Sequence, residues 1–286
     1  MKFAFVRDHL QAYPVTLCCR VLCISRSGYY AWRARPLSGR QQRRHALAVQ
    51  IRQVHAANRH VYGSPRICAT LRAQGHRVCR NTVARIMRQE RLRARTKRRF
   101  VPRTTDSLHS RAVAENVLDR QFTASAPNQK WVADITYVPT AEGWLYLAGV
   151  MDLFSRKVVG FSMADHLREE LVADALEMAL VDRRPGADLL HHSDRGVQYA
   201  SDAYQGRLSG RAIVVSMSRR GNCYDNAVME SFWATLKTEL IHQKRYATRE
   251  QARRSIFEYI AVFYNRHRLH SSLGYQSPEA FEASPN

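Results

Sequence analysis

The spacing of hydrophobic residues changes near position 125 and divides the chain into a helical part and a mixed part. Up to about residue 95, apolar residues recur at helical intervals and predict a helix over about 41–58, a second that starts with Ser64 as N-cap, and a third that starts with Asn81 as N-cap. Gly75 is the predicted end of the second helix. A helix, a capped helix, a glycine turn and an arginine-bearing third helix together predict a helix-turn-helix.

Two further short helical patterns occupy the first 36 residues. The stretch VTLCCRVLCI has helical apolar spacing, and Ser25 opens a second stretch, SRSGYYAWRAR. Two short helices and a turn resemble half of a helix-turn-helix. The basic and aromatic residues of the second stretch fit phosphate contact and equally fit a small core with a solvated face.

Beyond residue 125, strand and helix patterns alternate. The runs KWVADITYV, WLYLAGVMD and RKVVGFSM, joined by short links, predict an antiparallel meander. The helix LREELVADALEMALVDRR, the strand DLLHHSD, the helix SDAYQGRLSG, the strand AIVVSMS and a helix containing Glu230 follow. This order is that of an RNase H-like core. The predicted fold class is therefore α/β, with an RNase H-like catalytic core preceded by an all-α helix-turn-helix region.

A last amphipathic helix is predicted over 248–265, with Ile256, Ile260 and Phe263 on its apolar stripe, and the tail after it is predicted to be a loop. His267 and His270 in this tail are interpreted as hydrogen-bonding or phosphate-contacting residues rather than metal ligands. The patterns predict five segments: a helical segment over 1–36, a helix-turn-helix domain over 37–95, a basic linker over 96–124, a catalytic core over 125–245, and a C-terminal helix and tail over 246–286.

Charge separates the two parts of the chain as sharply as the hydrophobic pattern does. Positions 1–104 hold 24 of the 45 Lys and Arg residues but 2 of the 24 acidic residues, a net charge of +22, whereas the remainder carries −1. An excess of this size on a compact segment predicts a polyanionic partner, and the basic residues are not confined to one helix face as membrane binding would require. Nucleic acid is the favoured partner.

The cysteines and apolar runs restrict the setting of the protein. The six cysteines include no C-x-x-C pair and are typical of buried free thiols in a reducing compartment. A zinc module of His55, His60, Cys68 and Cys79 is disfavoured, because its two cysteines lie eleven residues apart. Since the chain has neither an apolar run of 18 residues nor a signal-peptide pattern at its start, we expect a cytoplasmic, nucleoid-associated bacterial protein and no membrane contact.

Three carboxylates stand out by their local settings. Asp134 lies within a strand that is apolar on both faces, where a charge requires a partner or a metal. Asp194 follows the strand DLLHHS, and Glu230 lies in a helix. Two strand carboxylates and one helix carboxylate can converge on divalent metal ions held by oxygen ligands, as suits in-line displacement at a phosphodiester. Each residue alone has a structural interpretation, as a turn cap or a solvated helix residue.

Other carboxylates are weaker candidates for the same role. They are Asp152, Asp202 and Asp225. Asp152 ends the second strand and is expected near the site, but it has no matching motif context, and Asp225 is interpreted as a cap of the Glu230 helix. Trp131 and Trp233 are interpreted as core residues.

Several motifs in this order identify a family resemblance. They are HSDRGVQYAS, GNCYDNAVMESFWATLKTE and YNRHRLHSSLGYQSPEAF, and 35 residues separate Asp194 from Glu230. The chain resembles the DDE transposases and retroviral-type integrases, and more narrowly the second-frame (OrfB) products of the insertion-sequence-three family, over nearly its whole length. The fused first-frame part of that family supplies a leucine zipper, whereas this chain has no sustained heptad run.

The resemblance implies a DNA transposase, a polynucleotidyl transferase that acts at one site in two reactions. Water nicks an insertion-sequence end, and the freed 3′-hydroxyl then attacks another phosphodiester. Asp134 would bridge two Mg²⁺ ions, for which Mn²⁺ could substitute, while Asp194 holds one ion and Glu230 the other. The implied partners are double-stranded DNA (terminal inverted repeats and target), further copies of the chain on that DNA, and the first-frame (OrfA) protein, as fusion or partner.

The resemblance and the charge pattern together predict the DNA contacts. Lys237 matches the family position that contacts the DNA end, and it lies two helical turns after Glu230. The remaining candidates are Arg195, Gln198 and Asn226 in the core, Arg80, Thr82, Arg85 and Arg88 on the third helix, and Arg95, Lys97, Arg98 and Arg99 in the linker. Two other functions stay open: a DNA-binding regulator of transposition that is inactive by itself, and a structure-selective RNase H-like nuclease.

Overall fold

The computed structural model describes residues 1–9, 11–36, 38–95, 113–220 and 222–284. They form two compact units, Met1–Gln53 and Val54–Asn286. The α-helices are α1 Lys2–Asp8, α2 Val15–Val21, α3 Arg26–Ala34, α4 Gly39–Ala57, α5 Ser64–Ala73, α6 Arg80–Gln89, α7 Glu169–Arg183, α8 Asp202–Ser209, α9 Ala227–Glu239, α10 Arg249–Phe257 and α11 Pro278–Ala283. The strands are β1 Lys130–Thr140, β2 Gly143–Asp152, β3 Val158–Ala164, β4 Leu190–Ser193 and β5 Val214–Met217.

In the first unit, α1, α2 and α3 surround a small core around the fully buried Tyr29. Ser25 caps α3 by accepting a hydrogen bond from the Gly28 backbone N–H at 3.0 Å, which confirms the predicted helix start. Helix α1 was not predicted, because no capping side chain marks its beginning.

Helices α5 and α6 pack against each other in the second unit. The predicted caps are wrong by one or two residues: Gly63 and Cys79 occupy the N-cap positions in extended backbone, so Ser64 and Asn81 already belong to the helices. Pro65 explains the earlier start of α5, since a proline in the first turn needs no hydrogen-bond donor. Gly75, at φ +87°, follows the end of α5 as predicted.

The predicted faces of α6 are confirmed. Val83, Ile86 and Met87 are buried, whereas Arg85 and Arg88 are exposed. This arrangement leaves a basic surface on the helix whose arginines are predicted to contact DNA.

The second unit contains the predicted mixed sheet, whose strand order is β3-β2-β1-β4-β5. Strands β1, β2 and β3 pair antiparallel as a meander, whereas β4 runs parallel to β1 and β5 runs parallel to β4. The parallel neighbours follow the crossover helices α7 and α8, because parallel strands need a long connection. This is the RNase H-like arrangement that the sequence predicts.

Helices cover both faces of the sheet. Ala148 and Val150 of β2 belong to the core cluster with Leu176 of α7. Residue Gly149 between them points the opposite way, as successive strand residues do, and a β-carbon there would come within 2.9 Å of the Trp233 ring on α9. Helix α9 therefore lies on the face opposite α7.

The C-terminal region departs from the prediction. Helix α10 continues into a π-helical segment, Glu258–Tyr264, whose wider turns bury Tyr259 and Tyr264 together with the predicted stripe of Ile256, Ile260 and Phe263. The tail is not a loop: it forms a bridge between His270 and Gln276 and then α11, which Ser277 caps. The turn chemistry of Gly274, at φ +61°, and Ser277 explains both features.

No helix in the described parts of the chain is long and apolar enough to cross a membrane.

Candidate active site

Strand pairing places Asp134 and Asp194 beside each other. Val132 of β1 is opposite His192 of β4 in a parallel register, and both aspartates follow two residues later, so they lie at one level and on one side of the sheet. Asp194 comes directly after β4, whereas Asp134 lies within β1.

Helix α9 is fixed to β1 at the same place. The Trp233 indole N–H donates a hydrogen bond to Asp134 Oδ2 at 3.1 Å, and the Asn226 amide donates to the Ala133 carbonyl at 3.0 Å. Glu230 lies between these two residues in sequence, four after Asn226 and three before Trp233, so all three share one helix face. The three predicted carboxylates therefore converge from β1, the end of β4 and α9.

The electrostatics of Asp134 reflect this convergence. Loss of solvation raises the pKa of the Asp134 carboxyl well above its usual range, and the charges of Asp194 and then Glu230 raise it further. Hydrogen bonds from the Ile135 backbone N–H at 2.8 Å and from Trp233 oppose this rise. Like charges brought together in this way create a demand for a cation.

Asp194 is oriented by the backbone that follows it. The Gly196 N–H donates to Asp194 Oδ1 at 2.9 Å. A β-carbon on Gly196 would lie 3.0 Å from that oxygen, so glycine permits the close approach. Tyr199 lies in the buried core nearby. Burial raises the pKa of its phenol, and the charges of Asp134 and Asp194 raise that pKa further.

Lys237 supplies positive charge close to the cluster. Its Nζ lies 4.8 Å from the centre of the Tyr137 ring, at cation–π distance. Burial lowers the pKa of the Lys237 amine, and the charge of Asp134 opposes this effect. The effect of the Asp134 charge on this amine places Lys237 close to the carboxylates.

The rival carboxylates are engaged elsewhere. Buried Asp152 accepts hydrogen bonds from the Asn128 and Phe154 backbone N–H groups at 2.7 and 2.8 Å. Asp202 is exposed at the start of α8. Both positions agree with the choice of Asp134 over these residues.

The interpretation of Asp225 as a cap of the Glu230 helix is wrong. It is buried in a short 3-10 helix, Cys223–Asn226, and accepts hydrogen bonds from Arg219, Arg120 and Asn116. The Arg219 guanidinium is the main reason that the pKa of this carboxyl lies well below its usual range. Two arginines, one from the loop before α9 and one from the segment before β1, compete successfully with the helix end for this anion.

The predicted DNA contacts in the core also bond within the chain. Arg195 Nε donates to the Ser218 carbonyl, and Gln198 Nε2 donates to the Leu167 carbonyl at 3.0 Å. Asn226 is buried and holds β1 as described above. These contacts give all three side chains a positioning task around the carboxylates.

The predicted DNA contacts outside the core divide into three groups. Arg80, Arg85 and Arg88 are exposed on α6, whereas Thr82 is half-buried beside Cys79 Sγ. Arg95 donates from NH1 to the Glu239 carbonyl at the end of α9, at 2.7 Å. Lys97, Arg98 and Arg99 lie outside the described residues.

The candidate zinc residues have other contacts. His55 and His60 share a hydrogen bond of 3.1 Å between their Nδ1 atoms, and Cys68 Sγ contacts the Val78 carbonyl. In the part of the chain that the structure describes, no three His, Cys, Asp or Glu side chains are close enough to ligate one ion together, and this applies to Asp134, Asp194 and Glu230 as well as to the zinc candidates.

Sequence reasoning missed one functional contact and one buried ion pair. Trp233 was interpreted as core, and it is buried, but it also binds Asp134. Its position three residues after Glu230 is the signal that could have placed it in the site. The buried pair of Glu239 and Arg268 has no local signal, because its members are 29 positions apart in the sequence.

Comparison with known proteins identifies family models in two parts of the chain. Residues 124–223 match the family model "Integrase core domain", residues 211–278 match a second model of that description, and residues 42–100 match "HTH-like domain". One solved structure that resembles the chain is the simian T-cell lymphotropic virus intasome in complex with PP2A regulatory subunit B56 gamma, at 15% identity and a TM-score of 0.48, covering 82% of this chain and 74% of that one.

Relatives match over nearly the full length. The chain is 44% identical over 284 residues to transposase InsF for insertion sequence IS3A of Escherichia coli K12, covering 99% of this chain and 98% of InsF. It is 47% identical over 263 residues to an uncharacterized 31 kDa protein of insertion element IS600 from Shigella sonnei, covering 92% and 96%. The chain therefore belongs to the transposase family of insertion sequence IS3, polynucleotidyl transferases with an integrase core and an HTH-like domain.

Proposed function

We propose that this transposase cuts the ends of its insertion sequence and joins the freed 3′-hydroxyl to another phosphodiester, with Asp134, Asp194 and Glu230 as ligands of its catalytic metal ions. One observation carries the proposal. The helix of Glu230 is hydrogen-bonded, through Trp233, to the same aspartate that lies beside Asp194.

The donor set fits Mg²⁺, and Mn²⁺ as a substitute, because hard divalent cations take carboxylate oxygens and keep several waters. Asp134 would bind both ions, with Asp194 on one and Glu230 on the other, so each ion would need two protein carboxylates rather than three. When bound, such a pair of ions activates the attacking oxygen and stabilises the leaving oxygen of an in-line displacement.

The surrounding residues hold these carboxylates in place. Ile135 and Trp233 each fix one oxygen of Asp134, and Gly196 fixes one oxygen of Asp194. The cation of Lys237 lies beside this cluster and suits a phosphate of the DNA end. Water is the first nucleophile and the 3′-hydroxyl is the second. Each attacks a phosphodiester at the same set of carboxylates, so one site serves both reactions.

DNA is positioned by the basic first part of the chain. The exposed arginines of α6 enter a groove of the terminal repeat, and Arg95, Lys97, Arg98 and Arg99 contact phosphates of the DNA. Two ends must be held together for joining, so we propose that further copies of the chain assemble on DNA, with the first-frame protein as fusion or partner. Target DNA then binds the same assembly.

A strand-transfer assay tests the proposal. Labelled duplexes carrying the two DNA ends that flank the coding sequence are incubated with Mg²⁺ or Mn²⁺ and the full chain, with and without the first-frame protein. We expect joined products from the wild type, none from Glu230→Gln, and wild-type yields from Glu177→Gln, a matched change of an exposed glutamate on α7.

The nature of the products separates the alternatives. Cleavage without joining would favour the nuclease, and end binding without cleavage or joining in either setting would favour the regulator. Both results would contradict the proposed function.

A further inference from the structure

The tail motif YNRHRLHSSLGYQSPEAF has no part in the chemistry proposed above, yet it supplies a buried arginine to the end of the catalytic helix. Glu239 is the last residue of α9, nine after Glu230, or roughly 13 Å along the helix axis. Its carboxylate is 7% exposed and Arg268 is 4% exposed. Arg268 donates from Nε to Glu239 Oε2 at 2.8 Å and from NH2 to Oε1 at 2.7 Å.

Further contacts complete this buried pair. The Tyr259 hydroxyl, from the π-helical segment, donates to Glu239 Oε2 at 2.6 Å, and the Arg268 guanidinium lies 5.7 Å from the Tyr264 ring centre. Burial lowers the pKa of His270 to about 3, and its neutral ring lies 3.3 Å from Arg268 NH1. The bidentate geometry fixes the distance and the direction between the tail and the end of α9.

The tail is in turn held from α5 and the loop before it. The Tyr62 hydroxyl donates to the His267 carbonyl at 3.1 Å and accepts from the Leu269 N–H at 2.8 Å. Arg66 Nε donates to the Leu269 carbonyl at 2.8 Å. Together with Arg95 on the Glu239 carbonyl, these contacts tie the end of α9 to the part of the chain that matches the HTH-like domain.

We infer that Glu239 and Arg268 are positioning residues for Glu230. The hydrogen bonds of Tyr62 and Arg66 to the tail extend this role to the HTH-like part of the chain, which thereby helps to fix the catalytic helix. Helix α9 is attached to β1 through Asn226 and Trp233 on either side of Glu230. With its far end held by Arg268, the rigid helix has one orientation, and Glu230 has one place relative to Asp134. This inference rests on the proposed function of Glu230.

A triple variant separates positioning from stability. The variant combines Glu239→Leu, Tyr259→Phe and Arg268→Met. It removes both charges of the ion pair and also the Tyr259 hydroxyl, which would otherwise lose its acceptor. Apolar replacement of a buried ion pair often preserves stability. In full-length protein we expect a thermal midpoint close to that of the wild type. Because small displacements of a catalytic group cost up to about a hundredfold, we expect single-turnover joining to slow by about tenfold to a hundredfold, with unchanged affinity for end DNA.

Hydrogen exchange supplies a readout that needs no activity. Backbone amides over 227–240 of the DNA-free triple variant should exchange at least about tenfold faster than in the wild type, while amides of β2 keep their rates. Tyr62→Phe, which loosens the tail from the HTH-like part, should accelerate the same amides by a smaller factor.

Two outcomes would overturn the inference: wild-type exchange over 227–240 in the triple variant, or wild-type joining by a stable triple variant. If the wild type itself joins no DNA, the proposed function fails, and the exchange rates still decide whether the pair orients α9.

Discussion

The two ends of α9 are held by opposite electrostatics. Near its first turns, Glu230 joins Asp134 and Asp194 in a cluster of like charge, where the pKa of Asp134 is raised. At its last residue, Glu239 receives a bidentate arginine and a tyrosine hydroxyl. One helix thus carries a cluster of like charge at one end and a neutralised ion pair at the other. If the carboxylates bind metal ions as proposed, the ion pair at the other end of the helix helps to keep these mutually repelling ligands in place.

The largest effect on stability is expected at the anchor. Arg268→Met leaves Glu239 buried without its cation, so we expect the free energy of unfolding to fall by about 3–5 kcal/mol. Urea unfolding measures it. The matched change Arg254→Met alters an exposed i,i+4 pair and should cost under about 0.5 kcal/mol. Equal losses in the two variants would contradict the contrast between the ends of α9.

Metal should stabilise the other end. A ligand bound only by the folded state at 100 times its dissociation constant adds about 2.7 kcal/mol. We therefore expect Mg²⁺ to raise the thermal midpoint of the wild type and to leave Asp134→Asn unchanged, as differential scanning calorimetry would measure. A Mg²⁺ effect of the same size in both proteins would place the ion elsewhere.

Trp233→Phe removes the N–H that holds Asp134 and keeps a ring over Gly149. Removing one partner of a buried hydrogen bond costs about 1–3 kcal/mol, because the remaining group is left unsatisfied. We expect a loss of about 1.5 kcal/mol in urea unfolding together with slower joining. Full joining activity in this variant would show that Asp134 needs no such support.

The pH dependence of stability should have opposite signs at two aspartates. The folded pKa of Asp134 is raised, so its protonated form favours folding, and its contribution falls as pH rises from about 4, the usual pKa, through the raised value. Without metal, Asp134→Asn should therefore gain up to about 1 kcal/mol over the wild type near neutral pH and lose that advantage below pH of about 4.

Asp225 is the matched control, since Arg219 lowers its pKa. Its stabilising contribution is present above its usual pKa and is lost as pH falls, so Asp225→Asn should be less stable than the wild type near neutral pH. Urea titrations at a series of pH values compare the three proteins. The same sign for both variants would contradict the assigned electrostatics.

The smallest effect is expected at the DNA-facing helix. Arg85→Ala should weaken end binding and reduce the slope of log affinity against log salt by about one, as for one lost phosphate contact. Fluorescence anisotropy at several salt concentrations measures the slope. Arg254→Ala changes an exposed arginine on α10 and should leave the salt slope unchanged. The same slope in both variants would show that α6 does not contact DNA.

Local patterns were sufficient to predict most of the core. Alternating apolar residues predicted β1, β2 and β3, and the helical period predicted α7 and α9, because each element buries a face that its own spacing defines. The convergence of Asp134 and Asp194 follows from the strand order, which these patterns and the family resemblance imply. The predicted division of the chain into five segments stays a prediction.

What failed depends on distant partners. Asp225 was assigned to a helix end because its neighbours in sequence suggest it, whereas Arg120, 105 positions earlier, takes part in its binding. The sequence predicts a loop for the tail, whereas the tail is folded. Its packing depends on the contact of Arg268 with Glu239 and on the pairing of Glu282 of α11 with Arg183 at 2.8 Å. Such contacts leave no periodicity for a local pattern to detect.

Binding of Mn²⁺ to the DNA-free full chain, followed by electron paramagnetic resonance, tests most directly whether Asp134, Asp194 and Glu230 bind divalent cations. We predict that the wild type and Glu177→Gln bind Mn²⁺, that Asp134→Asn loses this binding, and that Asp194→Asn and Glu230→Gln weaken it. No binding by the wild type, or equal binding by all five proteins, would contradict the account.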